Sequence, residues 1–212
     1  MAKKVHIIGT GGVSKELISF ITSEKIKRYE ILGCWGPENF DVKEFQHFYK
    51  GNDDKLKSTI KADESIIIAA AFPKVKKRVL GAFPRNKFTY ETYIHPSAQI
   101  SDYSIIKEGC ILGPQSILTG NVTLEKFTYL SYYSIVGHDS IIGEFSAIFP
   151  FVEISGGCII GSGCVFGLKS ACFPKLKVSD GVKLDAGSIL RDDAIQRGLY
   201  SGNPAKLVKL YS

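Results

Sequence analysis

The sequence predicts two folds in series: a small α/β domain with a short parallel sheet over residues 1–93, and an all-β parallel β-helix over 94–190, followed by a tail, 191–212. Three observations predict this. Apolar residues return every six positions from Ile94 through Ile100, Leu112, Leu130, Val136, Ile142, Ile154 and Phe166 to Leu190, with no polar exception. At 44% apolar composition, a run of seventeen in one frame arises by chance roughly once in a million. Four residues further on, the same frame shows compact side chains, among them Ser116, Ser134, Ser140, Ser146, Cys158 and Cys164. Two inward positions per hexapeptide describe a short flat strand and a turn, one side of a coil that cannot bury its apolar face alone. Before residue 94 the pattern changes to apolar runs alternating with helical periodicity, as expected of a parallel sheet.

In chain order, Lys3–Ile8 (KKVHII) reads as a strand, GTGG as a turn, and residues 13–28 as a helix with Val13, Leu17, Ile18 and Ile21 at helical spacing. Such a glycine turn brings backbone close to a phosphate and aims a helix N-terminus at it. Gly9, Gly11 and Gly12 match only part of a dinucleotide fingerprint, and a ligand-free tight turn explains them equally well. His6 reads as a strand residue satisfied locally. YEILGCWG is a second strand, residues 42–60 are loop and helical material, and ESIIIAAAF is a third strand whose near-continuous apolar run suits burial on both faces. Pro73 opens a helix with Lys74, Lys76, Lys77 and Arg78. A ligand of such a domain is expected at the carboxyl ends of the strands, near Gly9–Gly12. Phe88–Tyr93 reads as a linking strand, and His95-Pro96 opens the repeat. After Leu190 the frame breaks, and SGNPAK reads as a tight turn before a basic tail. Lys206 and Lys209 there suit either a phosphate or plain solvation.

The 27 Lys and Arg exceed the 21 Asp and Glu by six, and the whole excess lies before residue 94, where seventeen basic residues face eleven acidic ones. This fits a phosphorylated small molecule or a solvated face. Nucleic acid is not expected, since no aromatic stacking pattern or reader motif accompanies the lysines. Of five cysteines, Cys110, Cys158, Cys164 and Cys172 fall on inward positions and read as small core residues, and no metal-type pairing is present. MAKKVHIIG lacks an apolar signal run, and no stretch reaches the ~18 apolar residues of a membrane helix, so a cytoplasmic protein without membrane association is expected.

The chemical centre of the repeat is IVGHDSIIGEFS, Ile135–Ser146. With three sides per coil, residues eighteen apart stack, so His138 lies between Gly120 and Gly156, and Asp139 aligns with Asn121 and Gly157. A polar ring between two glycines, outside the apolar frame, leaves space for a ligand. An exposed turn histidine and a turn-forming aspartate are the structural alternatives.

IIGTGG before a helix, IHPSAQIS at the start of the repeat, HDSIIGEFS in its middle and SGNPAKL at its end, in this order, resemble the bacterial sugar O- and N-acetyltransferases of the sialic acid O-acetyltransferase and bacillosamine-pathway type. The resemblance spans nearly the whole chain. It implies a Rossmann-like nucleotide-sugar-binding domain followed by a left-handed β-helix, and a homotrimer with acetyl-CoA between neighbouring β-helices. It also implies His138 as general base with Asp139 orienting it, and an acceptor loop at Gly11, Gly12 and Val13 with a further contact at Ala71. Acetyl-CoA contacts fall on Ala147, Gly156, Leu168 and Ala186, and no metal is required. The chain departs from many relatives in having Val13 for a histidine, CWGP for an Asp-Asp pair, and Ala147 for a second histidine. The function implied is acetyl-CoA-dependent N-acetylation of a nucleotide-linked amino sugar for bacterial surface polysaccharide. O-acetylation of a sialic-acid-type sugar, and a non-catalytic β-helix that binds a nucleotide sugar or scaffolds a partner, are the alternatives.

Overall fold

A computed structural model describes residues 2–211, which divide by contact into two compact units at Glu91/Thr92. In the first unit a four-stranded parallel sheet has the order β3-β2-β1-β4. Its strands are β1 (Lys3–Ile8), β2 (Tyr29–Trp35), β3 (Tyr49–Gly51) and β4 (Ser65–Ile68). Val5, Ile7, Ile66 and Ile67 are fully buried, as both-face coverage requires. The helices are α1 (Gly12–Ser23), α2 (Lys43–Gln46), α3 (Asp53–Thr59) and α4 (Pro73–Ala82). Helix α1 buries Leu17, Ile18 and Ile21 and ends at Ser23, earlier than the expected span to residue 28. Beyond it Glu24 turns inward to take a two-pronged hydrogen bond from Arg28. The expected linking strand at Phe88–Tyr93 is reduced to a single parallel bridge between Tyr90 and Ile66.

The second unit is a left-handed parallel β-helix built from two-residue strands, β5 (Tyr93–Ile94) to β21 (Ile189–Leu190), recurring every six residues. They pair in register eighteen residues apart, as Ile135 does with Ile117 below and Glu153 above. Three parallel faces result. The frame residues form one core in which Leu112, Leu124, Leu130, Val136, Ile142, Ile148, Ile154 and Phe166 are shielded from solvent. The compact fifth position carries polar atoms at low cost where the hydroxyl reaches the next coil. Ser134 Oγ donates to Phe149 O, Ser140 Oγ to Ser155 O and Ser146 Oγ to Gly161 O at 2.8–3.1 Å, and Cys158 and Cys164 N–H donate back to Ser140 and Ser146. Corners turn through positive φ at Asn121, Tyr133, Asp139, Phe145 and Gly157 among others. Only Gly, and less readily Asn and Asp, adopts that region without strain.

The residues beyond 190 do more than trail from the coil. Strands β22 (Gly198–Gly202) and β23 (Ala205–Leu210) form an antiparallel hairpin around a cis Asn203-Pro204 bond, and β22 continues one face of the β-helix by pairing with β20 (Lys183–Leu184). Buried Tyr200 and Ala205 explain the difference: the six-residue frame ends, but the apolar cover does not.

Candidate functional site

His138 and Asp139 occupy the corner between β12 (Ile135–Val136) and β13 (Ile141–Ile142). The chain is fixed on both sides of it. Asp139 N–H donates to Gly120 O at 3.0 Å in the coil below, and Gly157 N–H donates to His138 O at 2.7 Å from the coil above. Ser140, fully buried, anchors the end of the turn. Both side chains are largely exposed, His138 71% and Asp139 58%.

Their hydrogen bonds define a proton arrangement. Asp139 Oδ2 lies 2.8 Å from His138 Nδ1, and Asp139 Oδ1 accepts from Asn121 Nδ2 at 2.7 Å. The amide of Asn121 and then the imidazole hold the Asp139 carboxyl below the usual carboxylate range, so it is ionised near neutral pH. A carboxylate only accepts, which makes Nδ1 the donor and leaves Nε2 to the outside. Nε2 lies against the backbone of Gly156, where an added Cβ would stand 2.5 Å from it. On the coil below, a Cβ at Gly120 would meet nothing within 4 Å. Open space beside the corner is therefore present at Gly120, while the space a side chain would take at 156 is filled by the imidazole edge itself.

The other predicted residues divide into separate groups. Leu168 and Ala186 are exposed and stack on one another at a different corner, linked by Gly187 N–H to Leu168 O at 2.8 Å. Ala147 lies on β14 (Ala147–Ile148), on a face that contains neither His138 nor Gly156, and is fully buried between Tyr129 and Val165. Within one chain, only Gly156 of the four is brought to His138.

In the first unit, Gly11 is the residue before α1 and Gly12 its first residue, and a Cβ on either would meet open space. Val13 is half-buried. Gly9 has φ +129° and no room for a Cβ, which would stand 2.8 Å from Ala69 O and 2.9 Å from Ser14 Oγ. That close approach sets the turn after β1 beside the segment after β4, where Ala71 is buried. The two predicted acceptor segments therefore share the carboxyl edge of the sheet. Helix α1 carries no acidic residue in its first turn and no side-chain cap, which leaves its N-terminal dipole uncompensated there.

One link across the sheet escaped sequence reasoning. Trp35 Nε1–H donates to His6 Nδ1 at 3.1 Å, so His6 Nε2–H faces the buried carboxylate of Glu64 at 2.9 Å. His6 thus fixes the indole at the end of β2, in the CWGP stretch. Lys206 Nζ pairs with Asp192 at 3.1 Å, which favours the solvated reading of that lysine. Among the described residues no group of His, Cys, Asp and Glu could hold a metal ion, and no helix is long and apolar enough to cross a membrane.

No protein-family model matches the chain, and no curated protein matches it in sequence. Solved structures do. The acetyltransferase domain of PglB from Neisseria gonorrhoeae FA1090 superposes with a TM-score of 0.89 at 22% identity, over 97% of this chain and 100% of that one. The same domain in complex with acetyl coenzyme A gives 0.71 at 21% identity, over 98% and 100%. A point mutant of perosamine N-acetyltransferase from Caulobacter crescentus, in complex with CoA and GDP-perosamine, gives 0.86 at 18% identity over 96% of each chain. Over nearly its whole length, this chain has the fold of these acetyltransferase structures.

Proposed function

We propose that the protein is an acetyl-CoA-dependent N-acetyltransferase acting on a nucleotide-linked amino sugar in bacterial surface polysaccharide synthesis, with His138 as general base. The observation that carries the reading is the largely exposed imidazole of His138, whose Nε2 is left as the acceptor by the Asp139 carboxylate at Nδ1 and lies against the bare backbone of Gly156. Two of the solved structures sharing the fold hold the corresponding ligands, acetyl coenzyme A in one and CoA with GDP-perosamine in the other.

The chemistry then follows from the geometry. Nε2 takes a proton from the sugar amine as its nitrogen attacks the thioester carbonyl. The C–N bond forms, the carbonyl oxygen gains negative charge, and the C–S bond breaks as the tetrahedral intermediate collapses. The proton on Nε2 passes to the departing CoA sulfur. Asp139 stabilises the transient imidazolium, and a matched general base of this kind contributes about a hundredfold to ten-thousandfold. Gly156 lets the imidazole approach the backbone closely, and backbone N–H groups at the bound thioester would stabilise the oxyanion.

The first unit is the acceptor-binding part in this reading. Gly11, Gly12 and Val13, at the uncompensated N-terminus of α1, would meet the nucleotide phosphates, with Ala71 beside them. Acetyl-CoA would use Gly156 together with Leu168 and Ala186, whereas Ala147, with no exposed surface even in a single chain, has none to offer it. Gly156 lies on a different corner of the chain from Leu168 and Ala186, which fits a donor cleft formed between copies of a cytoplasmic homotrimer.

The test is CoA thiol release from acetyl-CoA across UDP-, dTDP- and GDP-linked amino sugars and sialic acids, with light scattering for the oligomer. Turnover on an amino sugar supports the reading. Turnover only on a hydroxyl acceptor, or acetyl-CoA binding with silence on every acceptor of the panel, replaces it by O-acetylation of a hydroxyl acceptor, and silence without acetyl-CoA binding replaces it by a non-catalytic β-helix.

A further inference from the structure

Asn121 stands one full coil below Asp139, at the same corner and with the same positive φ of 60°. Its amide donates to Asp139 Oδ1 at 2.7 Å while Oδ2 meets His138 Nδ1 at 2.8 Å. The carboxylate is thereby held by both oxygens, from two coils. We propose that Asn121 is a positioning residue for His138, acting through Asp139 to hold the imidazole in the tautomer and orientation that present the Nε2 lone pair over Gly156. This rests on His138 being the general base.

Three physical points support the assignment. His138 and Asp139 are chain neighbours and more than half exposed, and a solvated pair of that kind holds its geometry weakly. A second anchor on the far oxygen removes the rotation of the carboxyl about its own axis that would swing Oδ2 away from Nδ1. The backbones that carry the two side chains are held in register, since Asp139 N–H is tied to Gly120 O. Consistently, the Asn121 amide is the largest cause of the lowered Asp139 pKa, ahead of His138. The bland alternative is a corner ladder that only stabilises the coil, and it makes different predictions.

Asn121→Gly removes the amide while accepting the positive φ, and Asn121→Asp keeps the shape but sets a carboxylate against Asp139. Both are expected to lower kcat about tenfold, with KM for both substrates unchanged and melting temperature within about 3 °C of wild type. Asn121→Gly added to Asp139→Asn is expected to cost nothing further, because the two act through one contact. A readout independent of turnover is the imidazole tautomer in selectively ¹⁵N-histidine-labelled protein, where four histidines make assignment by His138→Ala direct. Wild type is expected to show Nδ1–H at His138, and Asn121→Gly a shift toward Nε2–H. An unchanged tautomer and unchanged kcat in Asn121→Gly would overturn the proposal, as would a loss of kcat matched by a loss of stability. If His138→Ala stays active, the general-base reading fails instead, while the tautomer still decides whether Asn121 orients the ring.

Discussion

At the scale of single residues, the site depends on side chains that are absent as much as on those present. Gly156 is the clearest case, because its missing Cβ leaves the space in which Nε2 sits. Gly156→Ala is expected to fold normally, since the exposed imidazole can tilt away. It should lower kcat about a hundredfold, the order expected for a misplacement of about 1 Å, as steady-state kinetics beside a thermal melt will show. Gly9→Ala should act on stability instead. Its φ of +129° and the 2.8 Å approach of Ala69 O leave nothing flexible to yield, so a loss of about 1–3 kcal/mol in urea unfolding is expected. His138 and Asp139 were legible in the sequence because the six-residue frame numbers every corner. The same count aligned Asn121 with Asp139 but said nothing of their contact, which depends on rotamers at positive φ. The link from Trp35 through His6 to Glu64 was not legible at all, for it depends on a register shift between β1 and β2 after Val5.

At the scale of elements, each hexapeptide divides its labour by position. Ile142→Ala, at a fully buried frame position, is expected to cost about 2–5 kcal/mol in chemical denaturation. The outward Glu153→Ala, on the same coil face as Val136, should be within about 0.5 kcal/mol of wild type. The coil was legible because inward residues must recur in every turn. The short β3 was hidden, since three residues of an edge strand have no periodicity of their own. The terminal hairpin has no such signature for a related reason: the six-residue frame ends at Leu190, although Tyr200 and Ala205 continue the apolar cover.

At the scale of the whole molecule, pH and redox behaviour follow from where the charges and thiols lie. The Lys15 hydrogen bond lowers the pKa of Asp41, the Lys4 hydrogen bond that of Asp63, and the Asn121 hydrogen bond that of Asp139. A lowered folded-state pKa contributes stability above the unfolded value of about 3.9, which is lost as pH falls toward the folded value. Unfolding free energy from these groups should thus be level between about pH 5 and 7 and fall below about pH 4. All five cysteines are buried, and burial pushes the thiols of Cys34 and Cys164 up to about 12. A thiol reagent should accordingly label neither residue until the chain unfolds. His138 as the base on this fold is tested by acetyl transfer to a panel of nucleotide-linked amino sugars by wild type and His138→Ala side by side. Turnover on an amino sugar is expected to fall at least about a hundredfold in the variant with acetyl-CoA affinity retained; equal turnover by the two proteins would rule His138 out as the base.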